Sequence, residues 1–181
     1  MNEPVEIVSY QTEWPTAFKE LAQRMRSALG DVAVRIDHIG STSVPGLAAK
    51  PVVDIQVSVR SFDPEEAFQA PLEALGMKYR RNNPERTKRY FREAPGKPRT
   101  HIHVRLLGSF SEQFPLLFRD YLRAHELDAA EYAAVKRRCA ARFRHDRVGY
   151  VAAKSAHMWE IVRRADEWAQ QIGWVPGPAD A

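Results

Sequence analysis

The sequence predicts an α+β, or mixed α/β, domain with a layer of helices at its C-terminal end. Segments with the period of β-strands lie before about residue 107, and segments with the period of α-helices dominate after Gly108. A chain of 181 residues has the length of about one domain, and no linker or repeat divides it. We therefore expect one domain over residues 1–181, with a sheet-containing part at about 1–110 and a helical part at about 111–173.

The first expected elements are a helix and two strands. Pro15 is suited to an early helical position and Gly30 to a left-handed stop, and apolar residues between them recur at helical spacing. These apolar residues are Phe18, Leu21, Ala22, Met25 and Leu29. Residues 32–39 and 52–59 have the composition and alternation of strands, whereas residues 40–51 contain the glycines, prolines and hydroxyl side chains of a loop.

A second helix and a β-hairpin follow. Asp63 is the expected cap of the helix, with Pro64 at its first position and Gly76 after its end, and Pro71 should kink or divide it. The length of this segment is typical of a crossover between parallel strands. The turn at residues 95–98 separates two β-rich segments, 87–93 and 100–107, which predicts a hairpin.

Two apolar stripes at helical spacing predict the helices of the C-terminal part, with Asp128 as the expected cap between them. The first stripe consists of Tyr132, Val135, Cys139, Ala140 and Phe143. The second stripe consists of Val151, Met158, Ile161, Val162, Ala165, Trp168 and Ile172. Because these helices follow the strands along the chain, we expect them to form a separate layer.

Composition argues against several classes of protein. No run of about 18 apolar residues occurs, and residues 1–10 contain acids and a proline instead of a secretion leader, so we expect no membrane partner. Cys139 is the single cysteine and cannot form an internal disulfide, which favours the cytoplasm. The formal net charge of +4 attracts anions but is too small for a dedicated nucleic-acid binder. The oligomeric state stays open.

Basic residues are concentrated in two segments. Residues 78–105 hold ten basic side chains against two acids, and residues 136–147 form a second cluster opposed only by Asp146. Each cluster is either a solvated face or a surface that faces an anion. The clusters lack the interleaved aromatic side chains expected of a protein that binds single strands, with Tyr90 and Phe91 as the only candidates, so a nucleic-acid partner is not favoured.

The loop after the first expected strand is the strongest candidate for a binding site. Gly40, Ser41, Thr42 and Ser43 form a glycine and hydroxyl-rich turn whose amides and hydroxyls can converge on phosphate oxygens. It has neither the Lys-Ser/Thr end of a P-loop nor the GxGxxG of a dinucleotide turn. The alternative is a tight turn in which Ser or Thr only caps a helix.

Strand alternation predicts a polar cluster beside this loop. Asp54 and Gln56 share the polar face of their strand, and His101, His103 and Arg105 share that of a later strand. If these strands are neighbours, Asp54, His101 and His103 meet, and two imidazoles two residues apart on a strand suit zinc. The alternative is that each histidine is a satisfied or surface side chain.

Several other residues are candidates for lining the same cleft. Lys50 could reach a phosphate, although a lysine before a proline is more often exposed. Tyr150, Lys154 and His157 lie at helical spacing on the edge of the second stripe, so one or more of them are candidates for leaning into the cleft. Arg89 and Arg105 of the hairpin would neutralise negative charge there.

The segment HIGSTSVPGL followed by KPVVDI resembles the signature of the GrpB family, and FRDYL, EYAAVK and YVAAKS resemble that family too. The resemblance runs from about Val5 to about Trp168. It implies the nucleotidyltransferase-like mixed sheet flanked by helices, in which a Gly-Ser loop binds a nucleoside triphosphate and strand carboxylates hold metal. Proteins similar to it also occur fused to dephospho-coenzyme A kinase.

The chain departs from the superfamily pattern at the metal ligands. That pattern is a Gly-Ser pair, an acid-x-acid motif and a third acid on a later strand. Gly40-Ser41 and Asp54 match it, but position 56 is Gln, and the later strand has His101 and His103. With one certain carboxylate, a two-metal mechanism is disfavoured, because two divalent ions would repel each other. One Mg²⁺ or Mn²⁺ shared by Asp54 and the phosphates is feasible, and Zn²⁺ on Asp54 and the imidazoles is a less favoured alternative.

The resemblance and the residues together predict metal-assisted nucleotidyl transfer from a nucleoside triphosphate, or use of a related phosphorylated small molecule. Asp54 and His103 are the expected catalytic residues, residues 40–43 and Lys50 would bind the nucleotide, and Asp54, His101 and His103 would hold the metal. Because the carboxylate set is incomplete, whether the protein is an enzyme stays open. The alternatives are a non-catalytic nucleotide- or coenzyme-binding module with a degenerate metal site and, less favoured, a zinc-dependent hydrolase.

Overall fold

The computed structural model describes residues 4–181, so residues 1–3 of the expected domain lie outside the described residues. Five strands form one mixed sheet in the order β1-β2-β5-β4-β3, flanked by α-helices. The elements are α1 (Glu13–Leu29), β1 (Arg35–Ile39), β2 (Val53–Val59), α2 (Glu66–Ala74), β3 (Lys78–Tyr79), β4 (Lys88–Arg92), β5 (Thr100–Leu106), α3 (Phe110–Ala124), α4 (Glu126–Arg142) and α5 (Arg147–Ile172). The predicted α+β class is confirmed.

The centre of the sheet is the parallel pair β2 and β5, and the other strand pairs are antiparallel. Asp54 lies opposite His101, and Gln56 lies opposite His103. Since side chains alternate along a strand, the polar residues of both strands project from one face of the sheet. The expected meeting of Asp54 with the two histidines therefore follows from this register.

The apolar face of the sheet forms the main core with α1 and α2. Its central residues are buried side chains from four strands and both helices. They include Ile36, Ile55, Val57, Ile102, Val104, Phe18, Met25, Phe68 and Leu72. The spacing of these residues is 2 in the strands and 3 to 4 in α1, which is why the sequence predicts them.

The polar face is covered by α3, α4 and α5. A second hydrophobic cluster joins these helices to the loop after β1, with Leu47, Leu122, Tyr132 and Ile161 among its buried residues. No helix within residues 4–181 is both long and apolar enough to cross a membrane.

Three details of the helices differ from the expectation: the start of α2, the effect of Pro71, and the conformation of Gly30. The N-cap of α2 is Glu65 rather than Asp63, and Pro71 lies inside a helix that it does not divide. The loss of one amide donor at Pro71 is tolerated because Phe68 and Leu72 hold the helix in the core. Gly30 has a positive φ of 51° with ψ at −131°, outside the left-handed helical region, and begins a 3₁₀ turn, so β1 starts only at Arg35.

The expected cap at Asp128 is also wrong. Asp128 lies in the first turn of α4, where its carboxylate accepts hydrogen bonds from the Tyr121 hydroxyl and from Arg164. The cap between the two stripes is Asp146, which accepts the amide of Gly149 at 2.9 Å. The sequence pattern also misses β3, which has only two residues and no period to detect.

Candidate functional site

A cavity of about 300 Å³ opens between the polar face of the sheet and helices α3, α4 and α5. It lies where β1 ends and β2 begins. The predicted site residues that line it are residues 40–42, Lys50, Asp54, His101, Tyr150 and Lys154. Segments far apart in the chain therefore converge on one hollow.

Gly40 brings the turn into contact with the carboxylate of Asp54. Its φ of +70° with ψ of −173° is a conformation that side chains other than hydrogen rarely allow. A Cβ at this position would stand 2.8 Å from Asp54 Oδ2. Both the backbone and the space thus require glycine, and the expected proximity of the turn and the acid is present.

The hydroxyl side chains of the turn make different hydrogen bonds. Ser43 Oγ donates to the Gly40 carbonyl at 2.6 Å, and the Ser43 amide donates to the same oxygen at 3.2 Å. Ser43 therefore closes the turn and is absent from the cavity wall, although the sequence suggested it as a phosphate ligand. Ser41 Oγ accepts a hydrogen bond from Lys136 Nζ at 2.9 Å and lines the cavity.

Thr42 ties the turn to the neighbouring strands. Its hydroxyl donates to the Val52 carbonyl at 3.1 Å and lies 3.1 Å from His38 Nε2. Because the one hydroxyl proton is used, the Thr42 oxygen accepts from His38, which must carry its proton on Nε2. Burial lowers the pKa of His38 to about 4, so the ring is neutral near pH 7. Sequence reasoning did not foresee this support.

Asp54, His101 and His103 form a compact cluster at the edge of the cavity. Asp54 Oδ1 lies 3.1 Å from both His101 Nδ1 and His103 Nε2. Burial favours the neutral form of Asp54, but the hydrogen bonds from the two histidines outweigh it and hold the pKa of the carboxyl well below its usual range. Burial lowers the pKa of His103 to about 4, despite the favourable contact with Asp54. The carboxyl is therefore ionised and His103 neutral near pH 7.

The same three side chains can hold one metal ion. Their ligand atoms all lie within 4.8 Å of one another. Metal binding requires an ionised carboxylate and a neutral imidazole, which are the protonation states of Asp54 and His103. The outer nitrogens, His101 Nε2 and His103 Nδ1, are buried and have no hydrogen-bond partner among residues 4–181. His103 reaches the cluster from beside the cavity, since it is not part of the cavity wall.

Three of the expected cleft residues lie elsewhere. Gln56 is fully buried: its Nε2 donates to the Glu112 carbonyl at 3.0 Å, and its Oε1 accepts from Arg105 Nη1 at 2.7 Å. Arg89 pairs with Glu65 and packs over the Phe62 ring. Gln56, Arg89 and Arg105 therefore do not line this cavity, because acids or amides of the fold already engage them.

Four cationic side chains surround the cavity: Lys50, Lys136, Arg147 and Lys154. Burial, followed by the charges of Lys154 and Arg137, lowers the pKa of Lys136 to about 7. Burial and then Arg147 lower the pKa of Lys50 to about 8, although Asp54 acts in the opposite direction. Burial also lowers the pKa of Lys154. These cations repel one another beside a single carboxylate, so the cavity is suited to an anion with several charges.

Lys136 and Arg147 are the main site residues that sequence reasoning missed. Both belong to the basic cluster at 136–147, for which the sequence favours a solvated face over an anion-facing surface. Lys136 follows Tyr132 by one helical turn and stands next to Val135, so its position on the apolar stripe was the available signal. It is only 3% exposed, whereas its neighbours Arg137 and Arg138 are exposed.

Comparisons with known proteins find relatives that match most of this chain. The family model described as GrpB protein matches residues 4–164. The UPF0157 protein YqkA of Bacillus subtilis is 35% identical over 98% of this chain and 50% of its own length. A dephospho-CoA kinase of Mycolicibacterium paratuberculosis is 36% identical over 96% of this chain and 49% of its own length. The UPF0157 protein BH1888 of Halalkalibacterium halodurans is 36% identical over 91% of this chain and 84% of its own. This chain thus spans about half the length of the first two relatives.

Solved structures are similar at two levels. The crystal structure of conserved protein GrpB from Enterococcus faecalis has a TM-score of 0.82 and 31% identity, covering 90% of this chain and 99% of that one. The MgGTP-bound Cid1 poly(U) polymerase has a TM-score of 0.52 and 14% identity, covering 72% of this chain and 43% of that one. The second likeness shows a nucleotidyltransferase-like fold and nothing finer.

Proposed function

This chain belongs to the GrpB family, and from that premise we propose that it transfers a nucleotidyl group from a nucleoside triphosphate to a small acceptor with the help of one divalent metal ion. One observation carries the proposal: the Asp54 carboxylate contacts both the Gly40 turn and the two histidines at the wall of a cavity lined by four cations. A phosphate chain in that cavity would lie next to the metal ligands.

The cations of the cavity would bind the phosphates. Lys136 is already hydrogen-bonded to Ser41 of the turn, so ammonium and hydroxyl can approach the same phosphate oxygen. Lys50, Lys154 and Arg147 add positive charge to the same wall. A bound phosphate chain would relieve their mutual repulsion and favour the protonated lysines, which is the physical basis of the proposed affinity.

The donor atoms of the cluster fit one ion and not two. Asp54 and the imidazoles of His101 and His103 supply three ligand atoms, and Gln56 is engaged by Arg105 and Glu112 instead of replacing a second acid. Two imidazoles suit Zn²⁺ better than Mg²⁺, whereas Mg²⁺ or Mn²⁺ would depend on Asp54 and phosphate oxygens. When bound, such an ion would neutralise phosphate charge and make the phosphorus more electrophilic. Asp54 would be its anionic ligand, and His103 would hold that carboxylate in position.

A second candidate function is non-catalytic binding of a nucleotide or coenzyme. The observation that favours it is the complete burial of Gln56 where the superfamily has a second acid. A protein of this kind would keep the cationic cavity and lose turnover. Dephospho-CoA kinase is the name of relatives about twice as long as this chain, so a coenzyme A precursor is a suitable ligand to include in its test.

Pyrophosphate release and calorimetric binding distinguish these functions. The purified protein is supplied with each nucleoside triphosphate, a panel of small hydroxyl and amine acceptors, and Mg²⁺, Mn²⁺, Zn²⁺ or chelator. We expect metal-dependent binding and pyrophosphate release that are lost in Asp54→Asn. Asp166→Asn on α5, whose partner is Gln170, is the matched control and should behave as wild type.

The outcomes separate clearly. Binding that survives chelator and Asp54→Asn, without pyrophosphate release, would support the non-catalytic candidate and contradict nucleotidyl transfer. The same calorimetry includes a coenzyme A precursor, and no binding of this precursor or of any triphosphate by the folded protein would contradict both.

A further inference from the structure

A row of aromatic rings leads away from the cationic cavity. Phe118 lines the cavity, and its ring lies 6.3 Å from that of Phe114 in a stacked arrangement. The Phe114 ring is 5.8 Å from Phe110 on the same helix and 5.7 Å from Trp159 on α5. Phe110, Phe114 and Phe118 are spaced four residues apart, so they share one face of α3.

The outer rings of this row are exposed. Phe110 is 76% exposed and Trp159 is 54% exposed, and Phe114 and Phe118 are half-buried. Exposed aromatic side chains that adjoin one another commonly mark a binding surface rather than a packing need. Phe91, in contrast, is fully buried in the core, so this candidate for base stacking is not accessible to a base.

The size of the cavity and its position beside Phe118 indicate which part of a ligand would contact the row of aromatic rings. About 300 Å³ is at the lower limit for small-molecule pockets, and the cavity is open to solvent. With the phosphate chain on the cationic wall, the rest of a nucleotide would extend toward the opening. Phe118 belongs to that cavity wall, so a group leaving the cavity along α3 would meet Phe118 first and then Phe114 and Trp159.

We propose that Phe114, Phe118 and Trp159 form a stacking subsite for the base of the nucleotide whose phosphates lie in the cavity. The inference rests on the proposed function, because it needs phosphates in the cationic cavity. Stacking on aromatic side chains tolerates every base, since each base has a π face. The subsite therefore favours nucleotides over bare polyphosphate without selecting one base strongly.

The test compares inorganic tripolyphosphate with ATP, GTP, CTP and UTP by calorimetry in the presence of Mn²⁺. We expect the nucleotides to bind the wild type roughly 5- to 100-fold more tightly than tripolyphosphate. Phe114→Leu combined with Trp159→Leu should remove that difference and leave tripolyphosphate affinity unchanged. Phe118→Leu should act in the same direction, and the double variant covers the case in which loss of the Phe118–Tyr132 contact unfolds the chain.

Two controls sharpen the result. Phe110→Leu at the far end of the row should keep most of the nucleotide preference. Nucleotide should quench the fluorescence of Trp159, identified as the signal lost in Trp159→Phe, and tripolyphosphate should not.

Equal affinity of the wild type for nucleotides and tripolyphosphate would overturn the stacking subsite while the proposed function survives. Failure of tripolyphosphate and nucleotides alike would instead overturn the proposed function. Self-association that is abolished by Phe114→Leu with Trp159→Leu, with nucleotide affinity unaffected, would assign the row to an interface between copies and also overturn the inference.

Discussion

The two faces of β2 lie in different environments, so different properties of their side chains matter. Ile55 faces α1 and α2 in a fully buried apolar core, whereas its neighbour Asp54 faces a cationic cavity. One face lowers free energy by removing apolar area from water. The other brings a carboxylate, imidazoles and lysines together at the cost of desolvation and repulsion. One strand can therefore separate stability from ligand chemistry solely by the alternation of its side chains between the two faces of the sheet.

The polar face is itself divided into two halves. Toward the end of β2 and β5, Ser58 and Gln56 are hydrogen-bonded to Glu112, and Arg105 is hydrogen-bonded to Gln56. At the start of the strands, the histidines of the Asp54 cluster keep buried nitrogens without a partner among the residues described. The first half is a hydrogen-bonded network that joins α3 to the sheet, although Arg105 Nε has no hydrogen-bond partner among residues 4–181. The second half is the one that faces the cavity.

Ile55→Ala should produce the largest change in stability. The side chain is fully buried between the central strands, and truncation of buried isoleucine costs about 2–5 kcal/mol of unfolding free energy. We expect a loss near the upper half of that range, measured by urea unfolding. Tripolyphosphate affinity of the remaining folded protein should stay within about twofold, because Ile55 projects away from the cavity.

Asp54→Asn changes the opposite face of β2 and should lower the unfolding free energy far less than Ile55→Ala. A loss of unfolding free energy in Asp54→Asn equal to that of Ile55→Ala would show that the Asp54 cluster holds the fold together, and would erase the distinction between the faces.

Glu112→Ala should produce the next largest effect. Its side chain is fully buried, with Oε1 accepting from Ser58 Oγ at 2.9 Å and Oε2 accepting from the Gly108 amide at 3.2 Å. Removal leaves buried donors without acceptors, which costs about 1–3 kcal/mol for each group. We expect about 2–3 kcal/mol less unfolding free energy than wild type. Glu20→Ala, which removes an exposed carboxylate from α1, is the control, and an equally small loss in both variants would contradict the network.

The fold was largely predictable because its pattern is local. The alternation of residues 52–59 and 100–107 and the stripe from Phe18 to Leu29 record burial directly in the sequence. The failures concern ends and short elements. Asp63 and Asp128 have residue types that often start helices, but long-range contacts determine which of them does so, and the sequence does not report those contacts. Gly30 ends α1 as expected.

The candidate site was predictable where strand alternation or a tight turn determined it. Alternation placed Asp54 with the two histidines once β2 and β5 are neighbours, and Gly40 was identified by its need for space. Lys136 and the ring row from α3 and α5 were not predicted, because residues on different helices meet only through helix packing. Gln56 and Arg105 share the polar face as expected, but Gln56 donates to the Glu112 carbonyl of α3 and accepts from Arg105, a set of contacts that strand alternation does not report.

The smallest effect concerns pH and the buried lysine of the cavity. Lys136 has a pKa of about 7 and Lys50 one of about 8 in the ligand-free protein, because burial disfavours their charged forms. Tripolyphosphate attracts the protonated lysines, so its affinity should fall by about tenfold as pH rises from about 6.5 to about 9. Calorimetry at several pH values measures this slope. Lys136→Met should flatten its lower part, and Arg137→Met on the exposed side should not.

Lys136 affects stability with the opposite pH dependence: low pH favours tripolyphosphate binding but lowers the unfolding free energy. An unfolded lysine titrates near its ordinary pKa of about 10.5, well above the value of about 7 for Lys136 in the folded protein, so the unfolded chain binds more protons between these values. The cost of burying Lys136 is therefore fully present below about pH 7 and disappears as pH rises toward about 10.5. Lys136→Met should raise the Tm of the ligand-free protein most at about pH 6.5 and progressively less at higher pH. A Lys136→Met variant that is less stable than wild type at about pH 6.5 would show that Lys136 stabilises the fold, and would contradict the expected cost of burying it.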